Sequence, residues 1–427
     1  MISFIKRLKS SNLLKIFSLT GISTIIKVIT SYVTVKFLAT IVGPAGIALI
    51  GQLQNFTTVL TALGAGGINN GVVKYVAEYK ENHTTLRDIL GNGFKITAYL
   101  SLIVGLIIIV LSKFLSELIL LDGQYSYIFI LFGISLFFIS INNFFISVLN
   151  GYQEFRKFVI VNIITSVIGL LFTVGLVVLF NIRGALIAIV TYQAVIVFFT
   201  LIYVRKLHWF TKSFLWTAWN KKIVKRYAFY SLMTIVSAVT VPVAQVIIRK
   251  FLIHEYSITD AGYWESMNKI SGLYLMLFTS TFSVYYLPKL SEIKEQLVLR
   301  KEILKTYKIF TPLLILSLLV IFLLKDFVVS VLFTPSFDPV KKLFLWQICG
   351  DFFKIMSWIL AFVMVAKSMS KLYIITEISF AILQVVLTYF FVHYNGVIGA
   401  VQAYFVNYFI YFWTMALLFR NILVKNR

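Results

Sequence analysis

The chain has 427 residues, of which 60% are hydrophobic and only 13% are charged. Soluble domains carry roughly a quarter charged residues, so this composition excludes an ordinary water-soluble protein. The single cysteine, Cys349, excludes an intramolecular disulfide and a cluster of thiolate metal ligands.

Apolar stretches of about 20 residues follow one another along the whole chain. They are continuous runs of Leu, Ile, Val and Phe without the alternating polarity of membrane β-strands, so an all-α polytopic membrane protein is predicted. The first stretch is too long for a signal peptide and lacks a cleavage pattern, and we expect it to be an uncleaved span. In chain order the twelve predicted spans cover approximately 14–41, 44–73, 90–112, 125–149, 158–180, 184–204, 229–251, 262–288, 306–324, 342–366, 372–393 and 397–419.

Positive charge is distributed unevenly between the predicted loops. Most of the 39 Lys and Arg residues lie on the side that carries both termini, and the positive-inside rule places that side in the cytoplasm. The net charge of +23 is therefore attributed to membrane topology and to attraction for the phospholipid bilayer, and no nucleic-acid partner is expected.

The second half of the chain repeats short motifs of the first. Lys36-Phe37-Leu38 returns as Lys250-Phe251-Leu252, and Gly184-Ala185 returns as Gly399-Ala400, about half the chain length later. Such a repeat in a polytopic protein is typical of transporters with two pseudo-symmetric halves.

We therefore predict three regions. The linker between the halves mixes Trp219 and other tryptophans with basic residues, a composition that suits the lipid headgroup layer. The predicted regions are an N-terminal six-helix bundle over 1–210, a cytoplasmic interfacial linker over 211–226, and a C-terminal six-helix bundle over 227–427.

Charged side chains inside the predicted spans are the candidate functional residues, because each costs roughly 2.5–3.5 kcal/mol to place at membrane depth. Lys27 lies mid-span with no acidic residue within one helical turn, so it must face a cavity or a partner elsewhere. Glu377 is either a proton-coupling group or the partner of a lysine in another helix.

Two further pairs share a helix face. Asp351 with Lys354, and Glu265 with Lys269, have the spacing of ion pairs that either only lock helices together or belong to a pathway.

Other residues have mainly structural interpretations. Lys36 and Arg249 lie near the outer ends of matching spans, where their side chains can reach the interface. Pro242 and Pro312 are expected to kink helices. The glycines of the second span, Gly64, Gly66, Gly67 and Gly71, are expected to permit close helix packing.

Several kinds of chemistry have no motif in this sequence. It contains no phosphate-binding loop of an ATPase, the four histidines are scattered, and no nucleophile is paired with a base. Neither enzymatic activity, nor a metal, nor a cofactor is predicted.

Several longer motifs are spread along the chain. They are Val42-Gly-Pro-Ala-Gly-Ile47, Leu63-Gly-Ala-Gly-Gly-Ile-Asn-Asn-Gly71, Lys74-Tyr-Val-Ala-Glu-Tyr79, Thr240-Val-Pro-Val243 with Arg249-Lys250, Ser280-Thr-Phe-Ser-Val-Tyr285, and Phe344-Leu-Trp-Gln347 with Gly350-Asp351. These motifs resemble the Wzx-type flippases of lipid-linked oligosaccharides, especially the enterobacterial common antigen branch. The resemblance covers essentially the whole chain.

The resemblance implies a fold like that of multidrug and toxin extruders, with two six-helix bundles around a cavity in the bacterial inner membrane. It implies transfer of an undecaprenyl-pyrophosphate-linked oligosaccharide to the periplasmic leaflet, coupled to an ion gradient, with a polymerase or ligase and a chain-length regulator as partners. The implied cavity cations are Lys27, Lys36, Arg249, Lys269 and Lys354, and the ion-coupling candidates are Asp351, Glu377 and Glu265.

Three alternatives remain open at this stage. The cargo is expected to be an O-antigen repeat unit, or else the trisaccharide of the enterobacterial common antigen. A multidrug or cation antiporter is disfavoured by the lysines, which repel cations. A membrane-embedded glycan polymerase or ligase is disfavoured because the predicted outer loops are short.

Overall fold

The computed structural model describes residues 12–152, 154–205, 217–367 and 369–423, and this part of the chain is helical without any strand. The all-α prediction is confirmed for these residues. Residues 211–216 of the predicted linker lie outside the described residues.

The first half of the chain contains two very long helices and four shorter ones. A 3₁₀ turn at Gly123–Tyr125 precedes the fifth. The helices are α1 (Asn12–Gly64), α2 (Asn69–Tyr79), α3 (His83–Val110), α4 (Ser112–Leu120), α5 (Ser126–Gly151) and α6 (Phe155–Val204).

The second half repeats this order, with separate helices where the first half has long ones. A π-helical segment at Phe282–Tyr286 follows the second helix, and a 3₁₀ segment at Pro335–Leu343 precedes the sixth. The helices are α7 (Lys221–Glu255), α8 (Ile258–Thr281), α9 (Leu287–Glu292), α10 (Gln296–Leu323), α11 (Lys325–Leu332), α12 (Phe344–Ala366), α13 (Ser370–Asn395), α14 (Val397–Leu418) and α15 (Arg420–Leu423).

Each long helix of the first half is divided by one residue with non-helical backbone angles. Gly43 divides α1 (φ 65°, ψ −173°) and Asn181 divides α6 (φ 51°, ψ −130°). Gly396, between α13 and α14, has nearly the same angles as Asn181 (φ 63°, ψ −150°). The repeat seen in the sequence therefore extends to the conformation of the turn between the last two helices of each half.

The repeated Gly184 and Gly399 have the same structural reason in both halves. A Cβ atom on Gly184 would lie 1.8 Å from the carbonyl oxygen of Leu176, and one on Gly399 would lie 2.1 Å from that of Phe391. The chain turns back so closely at these points that only glycine fits.

Within the described ranges, nine helices are long and apolar enough to cross a membrane. Two of them, Gly21–Gly64 and Lys157–Val204, contain the divisions at Gly43 and Asn181. Helix α8 is not among the nine, and it carries Asp260, Glu265 and Lys269. The chain is thus an all-helical polytopic membrane protein, while the count of twelve spans is not confirmed.

The predicted second span is interrupted before its end. Helix α1 stops at Gly64, and Gly66 and Gly67 adopt positive φ angles of 66° and 61°. The Ser231 hydroxyl donates to the carbonyl oxygen of Gly66, which the break releases from helical pairing. Gly66 and Gly67 therefore allow the helix to break. The expected role in close helix packing applies to Gly64, whose Cβ would lie 3.1 Å from Leu136.

Two compact units are interleaved along the chain. One comprises the chain up to Thr34 together with Gln52–Pro242, and the other comprises Val35–Gly51 together with the chain from Val243. In the first unit, a core around Val76, Phe144 and Tyr227 joins α2, α3, α5 and the start of α7. The division into bundles over 1–210 and 227–427 stays a prediction.

The backbone break gives a first testable prediction. Gly67→Ala should lower the melting temperature, because alanine at positive φ costs about 1–3 kcal/mol and its Cβ would lie 2.7 Å from Ile235 and 2.8 Å from the carbonyl oxygen of Ser231. Gly175→Ala is the matched control, since nothing lies within 4 Å of its Cβ. Thermal unfolding of the purified protein measures both, and equal melting temperatures would contradict the assignment.

Candidate functional site

The first group of charged side chains in the second unit, here called the ionic cluster, comprises Arg249, Glu265 and Lys269. Arg249 on α7 donates to Oε2 of Glu265 on α8, and Nζ of Lys269 lies 3.5 Å from Oε1 of the same carboxylate. The side chain of Arg249 is 0% exposed, that of Glu265 9% and that of Lys269 13%. One carboxylate therefore lies between two cations, away from solvent.

Tight backbone packing creates the space for this carboxylate. A Cβ on Gly51 would lie 2.4 Å from the carboxyl carbon of Glu265, so Glu265 occupies the place of the missing side chain. The guanidinium of Arg249 also lies over the Trp264 ring, 5.5 Å from its centroid. Arg249 is consequently enclosed, and the expectation that it reaches the interface is wrong.

The second group, here called the carboxylate–tyrosine cluster, is built around Asp351 on α12, which is 0% exposed. Its Oδ2 accepts hydrogen bonds from Ser271 (2.7 Å) and Tyr274, and its Oδ1 accepts from Tyr404 (2.7 Å) and Gln347 (3.5 Å). These four donors come from α8, α12 and α14. Hydrogen bonds from several donors offset the loss of hydration of a buried carboxylate.

Lys354 and Glu377 complete this cluster. Lys354 interacts electrostatically with both Asp351 and Glu377, but within the described residues it forms no ion pair at 4 Å or less. The predicted direct pair of Asp351 and Lys354 is therefore not formed. The Lys354 ammonium instead lies among three rings, at 5.5, 5.3 and 4.9 Å from the centroids of Trp358, Tyr404 and Tyr408.

Lys36 binds a helix end. Its Nζ donates to the carbonyl oxygens of Phe333 (3.1 Å) and Ser330 (3.4 Å), at the C-terminal end of α11. A cation at this place interacts favourably with the helix dipole and satisfies terminal carbonyls. The contact provides Lys36 with a structural role within the second unit.

Lys27 belongs to the first unit, on α1. Its side chain is exposed, and among the residues that the structure describes no hydrogen bond or ion pair of its ammonium is found. Lys27 therefore remains a candidate for a cation that faces a cavity, as its mid-span position predicts.

The structure thus brings together six of the eight predicted residues in two clusters and leaves Lys27 and Lys36 elsewhere. The hydroxyl donors Ser271, Tyr274 and Tyr404, and the packing residue Gly51, were missed. Ser and Tyr side chains are neutral, so a search for charged residues within the spans does not find them. The four-residue spacing of Tyr404 and Tyr408, which puts both on one helix face, is the sequence signal that could have indicated Tyr404. No group of three metal-ligating His, Cys, Asp or Glu side chains occurs in the described part.

The sequence of the whole chain is similar to those of known proteins. Residues 13–294 match the family described as polysaccharide biosynthesis protein. The chain is 30% identical over 393 residues to the lipid III flippase of Escherichia coli K12 and to that of Shigella flexneri. In both cases the match covers 92% of this chain and 94% of the relative.

Two solved structures illustrate the similarity of the fold. An inward-facing multidrug resistance MATE transporter of the MOP superfamily superposes with a TM-score of 0.74 at 16% identity, covering 93% of this chain and 98% of the other. The lipid II flippase MurJ, in an inward closed conformation, gives 0.72 at 16% identity, covering 96% and 88%. The fold is therefore of the MATE and MurJ kind, and the implied likeness to multidrug and toxin extruders is confirmed.

The ionic cluster gives a second prediction. Glu265→Gln should lower the melting temperature strongly, because removing one partner of a buried ion pair costs about 3–5 kcal/mol and Arg249 stays enclosed. Glu255→Gln is the control, since Glu255 contacts His254 at 3.2 Å with side chains that are 42% and 85% exposed. A Glu265→Gln protein as stable as the control would show that the cluster does not stabilise the fold.

Proposed function

The chain belongs to the polysaccharide biosynthesis protein family, and we propose that it is a flippase that moves an undecaprenyl-pyrophosphate-linked oligosaccharide from the cytoplasmic to the periplasmic leaflet. The observation that carries this proposal is the 30% identity to lipid III flippases over 92% of the chain. The relatives are named as flippases and transporters, and the chain is not assigned an enzymatic activity.

The chemistry of the cargo suits a protein of this kind. Its sugars and diphosphate must cross an apolar layer about 30 Å thick while the polyprenyl tail remains in lipid. A cationic side chain in a hydrated passage offsets the loss of phosphate hydration. Of the five predicted cations we assign this role to Lys27, because Lys36, Arg249, Lys269 and Lys354 are engaged by other groups of the protein.

We propose twelve crossings in two six-helix bundles, with both termini in the cytoplasm of a bacterium and the chain in its inner membrane. The divisions at Gly43 and Asn181 turn two of the nine candidate spans into four helices. Helix α8 adds the twelfth. Its Glu265 and Lys269 are held by partners in the ionic cluster, which lowers the cost of placing this less apolar helix in the bilayer.

The carboxylate–tyrosine cluster is proposed as the ion-coupling site, with different roles for its two acids. Asp351 accepts hydrogen bonds on both oxygens and acts as a fixed anion. Glu377 interacts electrostatically with Lys354 on α12 and with Tyr411 on α14. We assign Glu377 as the group that gains and loses the coupling proton, while Glu265, held between two cations, is assigned a structural role.

We retain the O-antigen repeat unit as the proposed cargo, and a polymerase or ligase with a chain-length regulator as the proteins that receive it. The second candidate is the lipid-linked trisaccharide of the enterobacterial common antigen, because that branch supplies the motif resemblance and the relatives are lipid III flippases. The two cargoes differ in sugars but share the polyprenyl diphosphate, so one mechanism serves both.

Deleting the gene gives the third prediction. Lipid-linked repeat units should accumulate on the cytoplasmic leaflet and surface polysaccharide should be lost, because no other step carries the cargo across. Mass spectrometry of the accumulated lipid identifies its sugars and thereby separates the two cargoes. Normal surface polysaccharide together with increased drug sensitivity would replace this proposal with a multidrug transporter.

Substitutions of the three assigned residues give the fourth prediction. In proteoliposomes with an imposed pH gradient, Lys27→Ala and Asp351→Asn should each reduce transport of labelled lipid-linked oligosaccharide at least about tenfold. Glu377→Gln should remove the response to the gradient and leave exchange without a gradient intact. Lys113→Ala, on an exposed lysine of α4, is the control, and wild-type behaviour of all three variants would refute the assigned roles.

A further inference from the structure

Helices α3 and α5 of the first unit approach each other through small residues. Gly93, Thr97, Ser101 and Gly105 follow one another at four-residue spacing on α3. A Cβ on Gly93 would lie 3.0 Å from the Phe144 ring, and a Cβ on Gly105 would lie 2.5 Å from the carbonyl oxygen of Gly133. Small residues with this spacing let two membrane helices pack backbone to backbone.

These two contacts determine which residues of α3 lie opposite which residues of α5. The helices are antiparallel, since Gly93 meets Phe144 and Gly105 meets Gly133. Thr97 is one helical turn along from Gly93, and Ser140 is one turn back from Phe144. The two hydroxyl side chains are therefore at the same level, on the facing sides of the two helices.

Neither hydroxyl has a hydrogen-bond partner. Thr97 and Ser140 are each 0% exposed, and both Oγ1 of Thr97 and Oγ of Ser140 are without a hydrogen bond. A buried hydroxyl without a hydrogen bond destabilises the fold by a free energy comparable to that of a lost hydrogen bond.

The hydrogen bonding of Thr97 and Ser140 differs from that of other serine and threonine hydroxyls in helices of this protein. Thr165, Thr191 and Ser147 each donate to the carbonyl oxygen four residues earlier, at 2.7–2.8 Å. This is the usual way for serine and threonine to satisfy their hydroxyls inside a helix. Thr97 and Ser140 do not make that bond, so each hydroxyl is left to be satisfied by a group other than its own helix backbone.

We propose that a single water molecule is bound between α3 and α5, bridging the hydroxyls of Thr97 and Ser140. Buried waters typically make two to four hydrogen bonds to polar groups that lack other partners. Two facing hydroxyls supply a donor and an acceptor each.

A cation fits this place less well than water. A hard cation needs about six oxygen ligands, usually including carboxylates. The nearest positions on the facing sides are Gly93, Ser101, Leu136 and Phe144, none of which is acidic. Ser101 donates to the carbonyl oxygen of Ala98 at 3.0 Å, so its hydroxyl is already satisfied.

The site belongs to the first unit and is separate from both charged clusters. It is independent of the proposed cargo and coupling ion. Its effect is to join α3 and α5 by a polar contact.

A double-mutant cycle on the full-length protein in nanodiscs gives the fifth prediction. Thr97→Val and Ser140→Ala should each lower the melting temperature by about 1–3 °C, and the double variant should fall no further than the larger single change. The loss is shared because either substitution already breaks the bridge. Ser101→Ala combined with Ser140→Ala is the matched control and should be additive.

A cryo-electron microscopy map that resolves ordered water supplies the second measurement. A density peak within hydrogen-bond distance of both oxygens, absent from the Thr97→Val protein, is expected. Additive effects in the Thr97–Ser140 cycle would overturn the proposal. So would direct contact of the two hydroxyls with no peak between them, even if the cycle is coupled.

Discussion

A charged or polar group inside a bilayer has no water to bind, and this constraint explains why the buried charged side chains of the second unit have partners within the protein. Glu265 is held by Arg249 and Lys269, and Asp351 by four hydrogen-bond donors. The helices that carry these groups must stay in fixed positions to keep every partner. Charge compensation therefore fixes the packing of α7, α8, α12 and α14 more tightly than apolar contact alone.

The same constraint explains the irregular backbone. Breaking a helix at membrane depth frees carbonyl groups, and these need new donors. Ser231 supplies one at Gly66. The break follows the second helical segment of the first half, and the π-helical segment at Phe282–Tyr286 follows the corresponding segment of the second half. Two of the motifs that resemble the flippase family, Leu63–Gly71 and Ser280–Tyr285, overlap these irregular segments in the sequence.

Sequence patterns predicted the helices well because apolar runs and glycine turns are local properties. The divisions near Gly43 and Asn181 coincide with gaps between predicted spans for this reason. The partners of the charged residues depend on which helices become neighbours, and that is not a local property. Tyr274 and Tyr404 lie on helices far apart in sequence, yet both bind Asp351.

Charge balance adds a last step to the proposed mechanism. The ionic cluster holds two cations and one carboxylate, and the carboxylate–tyrosine cluster holds one lysine and two carboxylates. Helix α8 joins them, since Glu265 and Lys269 belong to the first and Ser271 and Tyr274 to the second. Together the charges cancel when both acids of the second cluster are ionised. If Glu377 carries the coupling proton, as proposed, its protonation leaves one positive charge in excess, and an excess cation inside the membrane attracts the diphosphate of an anionic cargo.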